Sequence, residues 1–416
     1  MGTHQENSIR VGMIALSDLS DPNPVSGMPY RMAKALRDQG IEILEIPARS
    51  PVDRSTLTRR ALERSRGIYD RRAPLGLKGT IDRALPARAR ARAMEKAERH
   101  SAYAQLNLEN LLRRGERIDA LFGCCISSAL YNFRSDLPII YFSDATSTIL
   151  QRTYPVFATR GEARRRAVRE IELAGLRRTT VAVFASTATR TSAIDEFGMD
   201  PAKTVVVPMG AHVYPEDPGS VHAPAQAPTR ESCDLLIVAK DPIRKRVDLA
   251  VEMTELLRDR GILATLHVVG PGTTRSNASQ AVRSVGALML SDPRDRARHQ
   301  SLLRDCHLQV LPSLGEAFGI APAESAHFAR PSLVAGAGGL PDVVHDGQTG
   351  LVLPVDAGPL EWADAAERLV DDPEAYRAMS SRALDRARGE LNWDAWGRRL
   401  RAIIEDTLGR NPTEQE

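Results

Sequence analysis

Cysteine, aromatic residues and long apolar runs are scarce in this chain of 416 residues. Only four cysteines occur and none forms a C-x-x-C pair, so the spacing indicates neither a zinc site nor a disulfide framework. No run of about 18 apolar residues occurs, which argues against a membrane-spanning helix. Residues 1–8 are polar and lack the apolar core of a signal peptide. Together these absences predict a reducing, cytoplasmic setting.

A strong excess of one charge sign is also missing. The chain has 56 Lys and Arg against 53 Asp and Glu, which gives a formal net charge of +3. This balance is too mild to indicate a nucleic-acid partner. The apolar fraction of 42% is ordinary for globular proteins, and the length suggests two or three domains that each bury a core.

Short apolar runs alternate with helical patterns, which predicts two parallel α/β sheets. The runs expected as strands are 9–16, 41–47, 119–125, 137–146, 180–186, 203–211, 234–240, 264–270, 308–313 and 331–337. A Pro- and Ala-rich stretch at 214–230 separates the two series and is the expected linker. We therefore expect domains over 1–213 and 231–390 and a final helical segment over 391–416. Two halves of similar architecture imply a cleft between them, the usual place for a ligand.

The stretch 49–117 departs from this balance of charge, with eighteen Lys and Arg against eight Asp and Glu. One interpretation is a solvated helical face of Arg-rich composition, which we favour because runs of charge are usually solvated. The other is a contact surface for an anionic acceptor or for the membrane interface. The membrane role is the less favoured one, because the segment shows no clear amphipathic anchor with aromatic residues.

The strongest chemical signal is LPSLGEAFGIAPAES at 311–325, which follows an expected strand and opens an expected helix. Free backbone amides at a helix start attract phosphate, because the N–H groups are unpaired and the helix dipole is positive there. The amides in question belong to Phe318, Gly319 and Ile320. Glu324, one turn into the expected helix, is placed to accept hydrogen bonds from both hydroxyls of a ribose. Glu316 is placed to accept hydrogen bonds from hydroxyls of the sugar itself. The alternative is that the segment is a capped helix with two surface glutamates of no special function. The flanking residues and the position after a strand make this alternative the weaker one.

A second signal is the basic turn between an expected strand and an expected helix at 237–253, which carries Lys240, Arg244 and Lys245. Cations at the carboxyl end of a parallel strand are placed to neutralise a pyrophosphate and the charge on a departing nucleoside diphosphate. A basic turn that only opens a helix explains this segment equally well when it is taken alone. A weaker, third signal is the glycine-rich stretch 335–354, which permits a close approach to a ligand.

The order of these segments resembles the retaining nucleotide-sugar glycosyltransferases of family four, which have the GT-B fold. The resemblance covers the second half through AK…RK, VGAL, EAFGIAPAE and GGLPDVV, and the first half through SGMPY, LPIIYFSDAT and VPMGAH. It implies two Rossmann-like domains that face a central cleft and a C-terminal helix that crosses back to the first domain. The implied reaction moves a sugar from a UDP- or GDP-sugar to a small-molecule acceptor, in natural-product or glycoconjugate biosynthesis.

The resemblance also implies roles for residues of the second half. Lys240 and Lys245 would contact the donor diphosphate, together with the turn between them. The backbone of Leu288 would contact the base. Glu324 would hold the ribose, and Glu316 would hold the donor sugar.

In the first half, the matching positions are Ser26 and Gly27, in a loop that approaches the diphosphate, and Asp144, which faces the donor sugar and the acceptor. Two departures from the family pattern bear on phosphate binding. Lys240 stands where Arg is usual, so an ammonium point charge replaces a planar guanidinium that could bind phosphate through two hydrogen bonds. The segment SGM holds one glycine where two are common. A third departure is Arg246, which stands where a glycine usually follows the lysine.

No D-x-D-type metal motif stands in these segments, which predicts a metal-independent site and no cofactor beyond the nucleotide-sugar substrate. In the family, the leaving diphosphate is thought to help deprotonate the nucleophile on the same face of the sugar. Two other functions stay open, since a fold does not fix a reaction. They are a nucleotide-sugar epimerase or phosphorylase, and a catalytically silent protein that only binds a nucleotide.

Overall fold

The computed structural model describes residues 8–22, 24–49, 82–212 and 226–409, which fall into two compact units. The first unit comprises Met1–Val207 with Gly397–Glu416, and the second is Pro208–Trp396. Most of the linker expected at 214–230, and residues 50–81 of the basic stretch, lie outside the described residues.

The first unit is built on a parallel sheet of six strands in the order β2-β1-β3-β4-β5-β6. The strands are β1 (Arg10–Ala15), β2 (Glu42–Pro47), β3 (Ala120–Cys124), β4 (Ile139–Ser143), β5 (Val181–Phe184) and β6 (Thr204–Val206). The helices are α1 (Met28–Asp38), α2 (Pro86–Arg113), α3 (Ser127–Leu130), α4 (Ser147–Thr153), α5 (Pro155–Ala158), α6 (Glu162–Leu176) and α7 (Thr187–Phe197). Short 3-10 turns occupy Pro24–Gly27 and Pro201–Lys203.

The central strands of this sheet are apolar because helices cover both of its faces. Every residue of β3 and of β4 is buried, as expected for parallel strands without a solvent-facing side. Helix α2 packs on α6 through small apolar residues, with Ala93 and Ala97 against Ala167 and Ile171. An ion pair between Arg90 and Glu170 spans the same two helices.

The second unit has a parallel sheet of six strands in the order β12-β11-β10-β7-β8-β9. The strands are β7 (Cys233–Val238), β8 (Ala264–Val269), β9 (Val282–Gly286), β10 (Leu308–Leu311), β11 (Ser332–Ala335) and β12 (Gly350–Leu353). The helices are α8 (Val247–Asp259), α9 (Thr274–Ala278), α10 (Pro293–Asp305), α11 (Ile320–His327), α12 (Leu340–Val343), α13 (Pro359–Asp371), α14 (Pro373–Gly389) and α15 (Trp393–Thr407). From Gly397 onward, α15 belongs to the first unit.

The strand order decides which loops meet. Strand β10 lies between β7 and β11, so the loops that follow these three strands share one stretch of the carboxyl edge. Strand β9 was not predicted, because it is an edge strand whose sequence, VRSVG, is largely exposed and polar. In the described part of the chain, no helix combines the length and the apolar character needed to cross a bilayer.

Candidate functional site

Glu316 and two basic side chains of the β7–α8 turn form a buried ion-pair cluster at the carboxyl edge of the second sheet. Arg244 Nη1 lies 2.8 Å from Glu316 Oε1, and Lys245 Nζ lies 3.2 Å from the same oxygen. The hydroxyl of Ser313 donates a further hydrogen bond to Oε1 at 3.0 Å. The side chains of Arg244 and Glu316 are each 9% exposed. Water therefore screens these charges weakly, and the cluster fixes the loop that carries Glu316.

The Glu316 carboxyl is ionised in spite of its burial. Burial by itself would raise its pKa, but Lys245, Arg244 and the Ser313 hydroxyl outweigh that effect and hold the pKa below its usual value of 4.5. All three groups converge on Oε1. No described residue donates a hydrogen bond to Oε2, which leaves that oxygen available to a ligand hydroxyl.

Arg244 joins the β7–α8 turn to the β10–α11 loop. Its Nη1 also donates to Gly315 O at 2.5 Å, and its own carbonyl accepts from Leu314 N at 2.9 Å. Its backbone amide donates to Asp241 Oδ1 at 3.1 Å. These contacts make Arg244 a positioning residue for Glu316, which the sequence did not reveal. Its contact with a donor phosphate stays a prediction.

The glycine-rich stretch after β11 supports the Glu316 loop through backbone contacts. Gly339 N donates to Glu316 O at 3.1 Å. A Cβ on Gly338, whose φ is 57°, would stand 1.9 Å from that oxygen, and a Cβ on Gly339 would stand 2.6 Å from Ala317 O. Glycine is required here because the loops of two neighbouring strands touch through their main chains.

The predicted helix start is present. Helix α11 begins at Ile320 directly after Gly319, whose φ is 123° and which provides no side-chain cap. Among the described residues, none accepts a hydrogen bond from the amides of Phe318, Gly319 or Ile320. Unpaired amides at a helix N-terminus favour an anion, so this end of α11 can receive a phosphate oxygen.

Glu324 lies on α11 and is buried beside His299 of α10, with 3.9 Å between Glu324 Oε2 and His299 Nε2. Burial lowers the pKa of His299 to about 4, so the imidazole is neutral at pH 7 and this contact is not a pair of opposite charges. The two side chains line a narrow recess together with His212, Leu290, Arg296, Gln300, Leu303 and Phe328. Three of these side chains, Leu290, Leu303 and Phe328, are apolar, and the others are polar or charged.

Leu288 follows β9 in a loop. It is half-buried and packs against an apolar cluster that includes Leu303 and Phe328. These two residues also line the recess beside Glu324. The structure thus brings two positions that the sequence assigned to the base and the ribose into one neighbourhood of the second unit.

Lys240 is exposed directly after β7, and no described carboxylate pairs with it. Gly270, at the end of β8, lies so close to this point that a Cβ would stand 2.2 Å from Ala239 O. Arg246 adopts the left-handed conformation, with φ 52° and ψ 51°, which explains why a glycine is common at this position. Its guanidinium donates to Val355 O at 2.7 Å, a contact that glycine cannot make.

In the first unit, Ser26 and Gly27 lie in the 3-10 turn before α1. Gly27 has φ 76° and is the capping residue directly before α1, which begins at Met28. A Cβ on Gly27 would stand 2.6 Å from Pro22 O. The single glycine of SGM is therefore the one that the turn requires.

Asp144 follows β4 at the carboxyl edge of the first sheet. Burial raises the pKa of its carboxyl, although the backbone amides and Cys125 oppose the shift. Cys125 Sγ lies 3.8 Å from Asp144 Oδ1, and Cys125 has a positive φ of 56° at the end of the neighbouring strand β3. The backbone carbonyl of Asp144 accepts from Thr189 Oγ1 at 2.8 Å. The aspartate is therefore held at a strand end, a usual place for a ligand-facing residue.

Sequence patterns missed Ser313 and the role of Gly338, because their partners lie on other loops of the sheet edge. The order of residues between a strand and a helix was the only available signal. Among the residues that the structure describes, no group of three or more His, Cys, Asp or Glu side chains is placed to hold a metal ion. Metal independence stays a prediction.

The second unit matches a known family. Residues 233–372 match the family model described as Glycosyl transferases group 1. A D-inositol 3-phosphate glycosyltransferase of Kineococcus radiotolerans is 34% identical over 241 residues, which cover 52% of this chain and 54% of that protein. The chain spans about half the length of the curated relatives it matches. These matches confirm the resemblance to family-four glycosyltransferases that the sequence motifs indicate.

Solved structures extend the likeness of fold to almost the whole chain. Sucrose-phosphate synthase from Thermosynechococcus elongatus superposes with a TM-score of 0.64 at 15% identity, covering 97% of this chain and 100% of that one. The Anabaena protein HepE, in complex with UDP and glucose, superposes with a TM-score of 0.55 at 14% identity, covering 96% and 100%. Identity at this level shows the fold alone, and the predicted GT-B fold is confirmed.

Proposed function

We propose that this chain, which carries a group 1 glycosyltransferase domain on residues 233–372, is a retaining glycosyltransferase that uses a nucleotide-sugar donor and a small-molecule acceptor. The observation that carries the proposal is the fixed Glu316 carboxylate, held by Arg244 and Lys245 beside the open N-terminus of α11. A protein that only folded around this segment would not need a desolvated carboxylate with one oxygen to which no described residue donates a hydrogen bond.

The donor diphosphate is proposed to lie between the β7–α8 turn and the start of α11. Lys245 and the exposed Lys240 supply positive charge, and the amides of Gly319 and Ile320 supply hydrogen-bond donors. Lys245 is held by Glu316 and the amides belong to the backbone, so these groups would stabilise the charge on the leaving diphosphate with little reorganisation. Arg244 positions Glu316 through its Nη1 hydrogen bonds, and its contact with the donor phosphate remains part of the proposal.

The two carboxylates are proposed to hold the two sugars of the donor. Glu324 lines the narrow recess beside His299, where it would accept hydrogen bonds from ribose hydroxyls. Glu316 would accept a hydroxyl of the transferred sugar through Oε2, because Oε1 is already engaged by three groups. A charge-assisted hydrogen bond of this kind stabilises binding by about 1.5–3 kcal/mol.

The proposed reaction exchanges one bond at the anomeric carbon for another on the same face of the sugar. The bond from this carbon to the diphosphate oxygen breaks, and a bond to the acceptor nucleophile forms. The nucleophile's proton passes to an oxygen of the leaving diphosphate, so no protein base is required. The described residues orient the donor and neutralise charge.

The test is a calorimetric titration of the full chain with UDP, GDP and ADP, without added metal. UDP comes first because HepE holds UDP and glucose. We expect one nucleotide to bind, and Glu324→Gln to weaken its affinity by about tenfold or more, since a charged hydrogen bond is lost. Glu374→Gln, an exposed carboxylate at the start of α14, is the matched control and should bind as the parent does.

Failure of all three nucleotides to bind a folded chain would refute the donor site. Equal binding by the Glu324→Gln and Glu374→Gln variants would refute the role of Glu324. Once the nucleotide is known, the chain would be incubated with the corresponding nucleoside diphosphate glucose and a panel of acceptors. Retention is then tested by the anomeric configuration of the product, measured by proton NMR.

A further inference from the structure

A cavity of about 240 Å³ lies in the second unit, at the amino edge of its sheet. It is lined by Gln226, Arg304, Asp305, Cys306, His307 and Arg330. His307 directly precedes β10, and Arg330 stands two residues before β11. Glu316 follows the opposite, carboxyl end of β10, so the cavity shares no residue with the proposed donor site. A ligand of this cavity is therefore distinct from the nucleotide-sugar, whatever the outcome of the nucleotide titration.

Arg330 is a buried cation that keeps one nitrogen for a ligand. The residue is only 8% exposed. Its Nε donates to Leu303 O at 3.2 Å and its Nη2 donates to Arg304 O, so these two nitrogens cap the carbonyl end of α10. Among the described residues, none accepts a hydrogen bond from Nη1. Because Arg330 lines the cavity, Nη1 can donate to an acceptor placed there.

His307 supplies a second donor with a defined proton. Asp234 N donates to His307 Nδ1 at 2.9 Å, so Nδ1 carries no proton. Burial lowers the pKa of the imidazole, an effect that Asp234 opposes and Arg330 reinforces, so the ring is neutral at pH 7. The one ring proton of a neutral imidazole then lies on Nε2, which is an N–H donor. The backbone of His307 is fixed as well, because its carbonyl accepts from Tyr376 Oη at 2.7 Å.

The charge of the lining favours a monovalent anion. Arg304 and Arg330 contribute two positive charges and Asp305 contributes one negative charge, which leaves a net charge of +1 at pH 7. His307 is neutral, and burial raises the pKa of the Cys306 thiol to about 12, so the thiol is neutral too. Over the part of the chain that the structure describes, neither arginine forms an ion pair with a carboxylate.

We propose that this cavity binds a small monocarboxylate, with Arg330 Nη1, Arg304 and His307 Nε2 donating hydrogen bonds to the carboxylate oxygens. Hydrogen bonds between a guanidinium and a carboxylate are charge-assisted and are among the strong ones in proteins. One negative charge balances the net charge of the lining. A phosphate monoester, with a charge of about −1.5 to −2 at pH 7, would leave an excess of negative charge beside Asp305.

The size and the polarity of the cavity favour an acid of a few carbon atoms. Sites for drug-sized ligands occupy about 300–1,000 Å³ and have largely apolar walls, whereas this cavity is smaller. Cys306 is the one lining residue without a strongly polar group, since a buried thiol behaves as a small apolar side chain. Gln226 is exposed and lies at the rim. A long acyl chain would find no apolar wall here, so a short acid is the better fit.

The experiment measures the binding of fluoroacetate to the full chain by fluorine NMR at constant ionic strength. Fluoroacetamide is the uncharged counterpart of similar size and shape. The variants are Arg330→Gln and Arg304→Gln. Arg298→Gln is the matched control, because Arg298 is also exposed on α10 and lies roughly 9 Å before Arg304 along the helix.

We expect fluoroacetate to bind with a Kd of about 1 mM or tighter and fluoroacetamide not to bind in this range. Arg330→Gln should weaken binding by about tenfold or more, because a buried charged hydrogen bond is lost. Arg304→Gln should weaken it by about fivefold, since Arg304 is exposed, and Arg298→Gln should bind as the parent does. If Arg330→Gln does not fold without its caps on α10, the Arg304 and Arg298 variants still decide the matter.

Displacement of fluoroacetate tests the charge class of the ligand. Acetate should displace it at a lower concentration than inorganic phosphate does, because phosphate brings a second negative charge beside Asp305. The inference is overturned if fluoroacetate does not bind, if fluoroacetamide binds equally well, or if Arg304→Gln binds as Arg298→Gln does. Displacement by phosphate at a lower concentration than acetate would overturn the assignment to a monocarboxylate.

Discussion

Arg244 Nη1 lies 2.8 Å from Glu316 Oε1, and both side chains are only 9% exposed. The two residues come from loops after different strands, β7 and β10, which are neighbours in the sheet. Their pairing therefore ties the basic turn to the loop that carries the carboxylate. A buried pair is costly to break, because the remaining charge is left without its partner in a poorly solvated place.

Removing the arginine should destabilise the second unit. Arg244→Met leaves Glu316 with Lys245 as its only cation, and we expect the free energy of unfolding in urea to fall by about 3 kcal/mol. The double variant Arg244→Met with Glu316→Gln should recover part of this loss, since no buried carboxylate then remains. A loss in the single variant below about 0.5 kcal/mol, the range of an exposed pair, would show that the pair is not structural.

Gly338 and Gly347 offer a matched pair of substitutions. Both have a positive φ, but a Cβ on Gly338 would stand 1.9 Å from Glu316 O, whereas Gly347 has nothing within 4 Å. Gly347→Ala should cost about 1 kcal/mol of stability through its backbone alone. Gly338→Ala should cost more and should also weaken nucleotide binding, because the Glu316 loop must move. Equal nucleotide affinities for the two variants would contradict this account.

Arg246 tests the cost of a left-handed residue at the start of α8. Arg246→Ala and Arg246→Gly both lose the hydrogen bond to Val355 O, but only alanine keeps the strain of a positive φ. We expect the glycine variant to be the more stable of the two by about 0.5–1 kcal/mol in urea unfolding. A more stable alanine variant would mean that the turn rearranges when the guanidinium is removed.

Glu172 should give the first unit a pH-dependent stability. Burial raises the pKa of its carboxyl from 4.5 to about 7, although Ser147 N donates to Oε2 at 2.7 Å. Because the folded pKa is the higher one, the folded state binds more protons between these values, so stability falls as pH rises from about 4.5 to 7. Relative to Glu172→Gln, the parent should lose on the order of 2 kcal/mol across this window.

The control for this pH dependence is Glu170→Gln. Glu170 is an exposed carboxylate on α6, the helix that also carries Glu172, and it pairs with Arg90 of α2. Its free energy of unfolding should follow the parent's pH dependence. The measurement is urea unfolding at pH 5, 6, 7 and 8. A constant difference between the parent and the Glu172→Gln variant over this range would rule out the raised pKa.

Chelation tests the absence of a metal requirement. Once a nucleotide has been identified, its affinity should be unchanged, within experimental error, by 5 mM EDTA (a concentration of order 10³ times that of trace metal) and by added Mg²⁺. The physical reason is that, in the proposed donor site, Lys240, Lys245 and the amides at the start of α11 would supply the positive charge that a metal would otherwise bring. Affinity that depends on Mg²⁺ would contradict the prediction.

The sequence alone determined the parallel strands and the start of α11. Apolar, β-branched runs such as those of β4 are readable because a strand buried on both faces must be apolar throughout. Glu316 and Glu324 were identifiable because the strand, the loop and the helix that frame them are contiguous. The edge strand β9 was not predicted, since a largely exposed strand has no continuous apolar run.

Only the tertiary structure decided which groups meet at the sheet edge. The strand order that brings β7, β10 and β11 together is not written in any local pattern, so neither the inward turn of Arg244 nor the contact of Gly338 with Glu316 could be foreseen. The same holds for Arg49 and Arg99, which are 50 residues apart and line one surface cavity because α2 packs on the end of β2. Local periodicity specifies elements, whereas long-range packing places their side chains.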